Sequence, residues 1–161
     1  MELPEIRPWQ RDLLAILQSP PDNRTIYWVW ENEAGWVGKT TFCKHVVTAH
    51  KKLRPLVLLG KAADMMNGIV EYHEANHQYP TVILGNLPRS YKQEWISYHG
   101  LEQVKDMLFY SGKFKGGMVC APSPHLMMFA NMPPAKTEMS EDRWVVFQIV
   151  DGQLVEDKGP P

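Results

Sequence analysis

The chain has 161 residues, enough for one domain with a full hydrophobic core. Its 17 basic and 18 acidic residues leave a net charge near −1, which excludes a global basic field, so any nucleic-acid contact must be local. Two cysteines, Cys43 and Cys120, exclude a disulfide scaffold and fit a reducing compartment; no apolar run approaches membrane-spanning length, and no signal-peptide pattern opens the chain.

In chain order, WQRDLLAIL (9–17) carries apolar residues at helical spacing, with Pro8 suited to a helix start. SPPDN (19–23) is a turn, and the β-branched and aromatic TIYWVW (25–30) is a strand. A glycine-bearing loop follows, then a helix over 40–52. PLVLLG (55–60) is a second strand, 62–76 is helical by period, and TVILG (81–85) is an apolar strand suited to burial on both faces. Residues 97–112 read as one helix ending in glycine, and KFKGG (113–117) as a tight basic hairpin tip. HLMMFAN (125–131) and RWVVFQIV (143–150) are strands, and DGQLVEDKGPP is a turn-like, frayed tail. There are no internal repeats. Strands alternating with helices predict an α/β fold with a mostly parallel sheet covered on both faces.

ENEAGWVGKTTF (31–42) nearly fits the phosphate-cradling pattern G-x-x-x-x-G-K-[ST], with Gly38, Lys39 and Thr40 in place and Glu33 where the first glycine belongs. An ordinary strand–turn–helix corner would carry such residues without chemistry. The junction of a strand with a helix is, however, the context that a phosphate loop needs. There the N–H groups of residues 34–40 converge at a helix N-terminus that favours anions. The expected cradle is Ala34, Gly35, Trp36, Val37, Gly38, Lys39, Thr40 and Thr41, holding ATP, with the Thr40 hydroxyl offered to Mg²⁺. Trp9, Trp28 and Trp30 are expected to fill the core rather than meet adenine.

A second motif points elsewhere. His73, Glu74 and His77 spell H-E-x-x-H, which on a helix places two imidazoles beside a glutamate for zinc peptidase chemistry, with Glu94 or Glu102 as a conceivable third ligand. Its place close to Pro80, at a helix end leading straight into a strand, favours a plain polar terminus.

ILGNLPRS (83–90), ISYHGLEQVKDMLFYSGKFKGG (96–117), HLMMFANMPP (125–134) and MSEDRWVVF (139–147), read with RTIYWVWENEAGWVGKT (24–40) and RPWQ (7–10), resemble the helicase domain of replication initiator (Rep) proteins of small circular single-stranded DNA viruses and related plasmids. That domain belongs to helicase superfamily three. The resemblance covers residues 7–147 and implies one P-loop NTPase domain of the AAA-like kind over 1–161, with 148–161 as a tail and without the family's nicking domain. It further implies ATP, Mg²⁺, single-stranded DNA, a homo-oligomeric, hexameric ring, rolling-circle replication and a place in the host nucleus, with no membrane.

Carried over by position, Lys39 and Thr40 match the phosphate-binding lysine and the Mg²⁺-ligating hydroxyl, and Asn131 matches an asparagine that senses the γ-phosphate. Arg143 falls where such domains place an arginine finger for the neighbouring subunit; an ion pair with Glu141 or Asp142 is the plainer reading. Arg89 is a further candidate for phosphate sensing or a subunit contact. Lys113, Phe114 and Lys115 match a DNA-contacting hairpin, although a solvated basic turn would look the same. The departure is Asn86, which stands where the family carries a Mg²⁺-linked aspartate. An amide carries no charge and is no general base, so slow hydrolysis is expected unless Glu31, Glu33 or Asp64 substitutes. Other readings are a hydrolysis-impaired nucleotide- and DNA-binding module and a picornavirus-type RNA helicase.

Overall fold

The computed structural model describes residues 5–32, 38–58, 61–112 and 117–159. Helix α1 (Pro8–Gln18) begins on a proline whose missing N–H costs nothing in the first turn, and it buries Trp9, Leu13, Leu14 and Leu17. Strand β1 (Ile26–Trp30) leads through the glycine-bearing segment to α2 (Lys39–Ala49), then β2 (Pro55–Leu58), α3 (Ala62–Asn76) and β3 (Val82–Asn86). Helix α4 (Tyr98–Asp106) precedes a separate hairpin of β4 (Leu108–Ser111) and β5 (Gly117–Cys120), after which come β6 (His125–Ala130), β7 (Trp144–Val150) and β8 (Gln153–Glu156).

The main sheet has the order β2-β3-β6-β1-β7-β8. Its first five strands are parallel, and β8 closes the edge antiparallel to β7. Alternation along the strands divides the core in two. Ile26, Trp28, Leu126 and Met128 face Met65, Ile69, Leu101 and Val104 of α3 and α4. Val29, Met127 and Phe129 face Leu13, Leu17, Phe42 and Val46 of α1 and α2. Every residue of β6 is buried, as expected for a strand with helices above and below. Trp9 and Trp28 lie in these cores, while Trp30 is only partly buried against the first. Among the described residues, no helix is long and apolar enough to cross a membrane.

Two sequence expectations need correction. The helix expected over 97–112 stops at Asp106. Met107 takes a left-handed conformation (φ 47°) and hands its N–H to the carbonyls of Gln103 and Val104. The next four residues alternate exposed and buried against β5, which is strand periodicity. The tail is not frayed throughout: Asp151 (φ 49°) and Gly152 (φ 76°) make a two-residue turn of the kind that returns a hairpin, and β8 pairs with β7.

At the amino ends of the parallel strands, Lys105 of α4 is almost wholly buried. Its ammonium donates to the carbonyls of Asp22 (2.8 Å) and Pro124 (2.6 Å), tying α4 to the loops before β1 and β6. Burial pushes this ammonium down to about 8, against the pull of Asp22 and Asp106. The unfolded chain keeps that proton to a higher pH, so it binds more protons than the native state above pH 8. Stability therefore rises with pH through this window, by on the order of 3 kcal/mol in total from this group. A neutral amine still has two N–H donors for the two carbonyls. Denaturant unfolding followed from pH 8 to about pH 10 should show that rise in the parent and lose it in Lys105→Met.

Candidate functional site

All the parallel strands end at one edge of the sheet, and Lys39, Thr40, Asn86 and Asn131 collect there. The insertion of β6 between β1 and β3 brings the ends of these three strands side by side. Beyond the last strand residues, the Glu31 N–H donates to the Ala130 carbonyl (3.3 Å) and the Leu87 N–H to the Phe129 carbonyl (2.8 Å). These bonds extend the ladder past the strands and fix Glu31 and Leu87, the residues just beyond β1 and β3. Such an edge, where neighbouring connections diverge, is where open α/β sheets bind ligands.

Lys39, the first residue of α2, turns back over this edge. Its ammonium donates to Glu31 Oε1 (2.8 Å), Asn131 Oδ1 (2.6 Å) and the Ala130 carbonyl (3.1 Å). Glu31 is fully buried, and among the described residues its second oxygen has no hydrogen-bond partner. Thr40 meets β3: Asn86 Nδ2 donates to Thr40 Oγ1 at 2.9 Å. The structure thus brings Lys39, Thr40, Asn86 and Asn131 together and adds Glu31. Thr41 follows one residue into α2, and Asp64 lies in the first turn of α3. Glu33, Ala34, Gly35, Trp36 and Val37, expected in the cradle, lie outside the described residues, as do Lys113, Phe114 and Lys115 of the expected DNA hairpin.

Gly38 is held from behind. It sits at φ 97°, open to glycine, and its carbonyl accepts from Gln10 Nε2 at 2.9 Å and from the Phe42 N–H at 2.9 Å. Gln10 is itself buried, and its Oε1 accepts from the Arg7 N–H at 2.7 Å. A Cβ on Gly38 would lie 2.9 Å from Gln10 Nε2 and push that amide aside, and φ 97° strains any L side chain there, so glycine suits the position. Gln10 was missed as a site residue. The available signal was a glutamine on the same helical face as Leu13, Leu14 and Leu17, where an apolar residue belongs.

The finger role expected for Arg143 does not fit this geometry. Arg143 is 3% exposed and lies at the amino end of the strands, since the next residue, Trp144, is in register with Ile26. Its guanidinium donates to both Asp106 carboxylate oxygens (2.9 and 3.1 Å) and lies 3.5 Å from Glu102. Neither Glu141 nor Asp142 is its partner; Asp142 pairs with Arg24. A finger must project from the surface, and this cation is spent within its own chain, fixing α4 beneath β7. Arg89 is exposed in the turn after β3, at the edge that carries Lys39.

The H-E-x-x-H match does not form a metal site. His77 has left the helix in a left-handed conformation (φ 57°), so the two histidines lack helical i, i+4 geometry, and His73 stacks on Tyr79. Glu102 is engaged by Arg143. Among the described residues, no three His, Cys, Asp or Glu side chains are grouped to hold a metal ion.

Fold and site define the class: an α/β protein with a mostly parallel sheet and a lysine-centred polar cluster at its carboxyl edge. No protein-family model and no solved structure matches the chain. It is similar to viral replication proteins over most of its length. It is 34% identical over 142 residues to Para-Rep C1 of Faba bean necrotic yellows C11 alphasatellite, which covers 88% of this chain and 46% of that protein. It is 33% identical over 149 residues to Para-Rep C2 of Subterranean clover stunt C2 alphasatellite, covering 88% and 47%. It is 32% identical over 139 residues to the Master replication protein of Faba bean necrotic yellows virus (isolate Syrian SV292-88), covering 86% and 44%. The chain therefore spans about half the length of the curated relatives it matches.

The Lys39–Glu31 pair is buried on both sides, with 10% and 0% of the side chains exposed. Breaking such a pair from one side leaves an uncompensated charge. Lys39→Met should therefore cost about 3 kcal/mol in urea unfolding. The double variant Lys39→Met/Glu31→Gln, which buries no charge, should recover most of that loss.

Proposed function

We propose that this chain is the nucleotide-hydrolysing motor region of a viral replication protein, a P-loop NTPase of the superfamily-three helicase kind. The observation that carries this reading is the meeting of Lys39, Thr40, Asn86 and Asn131 at the carboxyl edge of three adjacent parallel strands. The similarity to Para-Rep and Master replication proteins supports the replication setting.

In this reading Lys39 neutralises the β- and γ-phosphates of ATP, and the N–H groups opening α2 complete the cradle at the positive end of the helix. The Thr40 hydroxyl and the Asn86 amide supply neutral oxygen donors of the type Mg²⁺ takes, and the bound ion would offset phosphate charge. Asn131, which accepts a hydrogen bond from Lys39, would sense whether a γ-phosphate is present. Gln10 holds Gly38, the residue that opens α2.

The DNA contact is assigned to the β4–β5 hairpin. Its antiparallel strands end with Ser111 opposite Gly117, and the connection between them carries Lys113, Phe114 and Lys115. Lysines can meet backbone phosphates and a phenyl ring can stack on a base. A hexameric ring would multiply these few charges around one channel, which suits a chain with a net charge near −1. Arg89, exposed in the turn after β3, is a further candidate cation for a neighbouring subunit's nucleotide. The work would be done on single-stranded DNA in rolling-circle replication, within the host nucleus.

A second reading has one observation in its favour. The β3 strand ends in an uncharged amide, so the domain could hold nucleotide and DNA without turning ATP over at speed. Equilibrium binding of fluorescent ATP with Mg²⁺ tests the common ground. The parent should bind, and Lys39→Met/Glu31→Gln, which removes the charge without burying a new one, should lose about 100-fold or more in affinity. Binding unchanged in that variant would end the nucleotide reading. Turnover with single-stranded DNA separates motor from holder: Asn86→Asp should raise the rate if charge at β3 is limiting.

A further inference from the structure

We propose that Glu31 is the catalytic carboxylate of this site, filling the acidic role that Asn86 leaves open. The inference rests on the nucleotide reading above and concerns where that site keeps its negative charge.

Three observations carry it. The first is saturation: an ammonium has three N–H donors, and those of Lys39 are all taken by Glu31, Asn131 and the Ala130 carbonyl. Lys39 can meet a phosphate only by letting an acceptor go. The second is burial. Glu31 is fully inside, and a buried carboxylate is costly unless paired, yet among the described residues only one of its oxygens has a hydrogen-bond partner. A residue serving only as a counter-ion gains nothing from that arrangement. The third is position. Glu31 directly follows β1, and its N–H is fixed on Ala130, the residue before Asn131. It therefore approaches Lys39 from the side of β1, whereas Asn86 reaches Thr40 from the side of β3.

When phosphates draw the ammonium away, Glu31 Oε1 is released beside Oε2, and a full carboxylate faces the space Lys39 has left. In the hydrolytic step the oxygen of a water molecule bonds to the γ-phosphorus. The bond from that phosphorus to the β–γ bridging oxygen breaks, and one water proton passes to Glu31. ADP and inorganic phosphate leave, and the proton returns to solvent as Lys39 comes back. The same carboxylate thus holds the lysine in the nucleotide-free site and accepts the proton in the loaded one.

Glu31→Gln tests this. The amide oxygen still accepts from Lys39, but the buried ammonium loses its counter-charge, so the variant is less stable than the parent and is assayed well below its unfolding midpoint. The variant should bind Mg²⁺-ATP at least as tightly as the parent, because an anion competing for Lys39 is gone. Its turnover should fall about 100-fold or more, with the acidic limb of the rate–pH profile lost. Turnover equal to the parent's overturns the assignment. So does a loss of affinity in step with rate, which would make Glu31 only a holder of Lys39. Should that variant fail to fold, Glu31→Asp decides: a carboxylate drawn back by one carbon should cost about tenfold or more in rate with affinity kept, and an unchanged rate sinks the proposal. A parent that binds ATP but never hydrolyses it refutes this proposal alone. A parent that binds no ATP removes the nucleotide reading as well.

Discussion

The carboxyl edge of this sheet is organised around one ammonium group. Lys39 belongs to α2, yet its three hydrogen bonds go to residues that follow β1 and end β6. That is possible only because β1 and β6 are adjacent and parallel, in a register that sets Trp30 opposite Ala130. Shift β6 by one residue and the Ala130 carbonyl would point away from its neighbour, since alternate residues of a strand present opposite faces. The pairing of these two strands is therefore the constraint on which the site depends. The helices covering them on both faces hold that register against slippage.

The packing beneath the site shows how the register is kept. Trp28, in the middle of β1, stacks on Tyr98 of α4 and meets Trp144 of β7 edge-on, while its indole N–H reaches the Met132 carbonyl at 2.8 Å. That last bond ties the strand to the segment just beyond Asn131. On the other face, Phe42 of α2 lies between Trp9 of α1 and Phe129 of β6. The helix that carries Lys39 and the strand that leads to Asn131 are thus joined through one ring. Gln10, a residue from Trp9, completes the brace by holding Gly38. At the far end of the strands Lys105 and Arg143 fasten α4 with charge, bonded to the Asp22 and Pro124 carbonyls and to Asp106. Cations are thus buried at both ends of the sheet.

Much of this could be read from the chain. Gly38-Lys39-Thr40 between a β-branched run and a helix announced the edge, and Asn86 and Asn131 lay at the ends of the right strands. What periodicity could not supply was strand order. Nothing in the residues themselves says that β6 enters between β1 and β3, so the approach of Asn131 to Lys39 could be expected only through resemblance. The same gap hid Arg143, whose neighbours in sequence, Glu141 and Asp142, looked like its partners; Asp106, 37 residues away, is the true one. The β4 strand was absorbed into α4 because MLF continues an apolar helical spacing, and only the left-handed turn at Met107 breaks it. The β8 strand has its signal in the sequence too, since Asp151-Gly152 after an apolar strand marks a hairpin.

Glu31 and Asn86 make most sense taken together. A site that binds a polyanion gains from each negative charge it omits, so an amide at the end of β3 leaves Thr40 in a neutral setting that a metal ion and phosphates can enter without repulsion. The same site cannot be wholly without an acid if it is to take a proton from water. Keeping the acid on β1, bonded to the lysine while no phosphate is present, meets both demands. With Glu31 bonded to Lys39, the cluster folds without leaving either charge unpaired, and under the proposal the carboxylate would become available only when the ammonium finds a better partner. In such an arrangement the free energy of phosphate binding itself exposes the base. Moving the acid from β3 to β1 then changes the order of events rather than removing one of them.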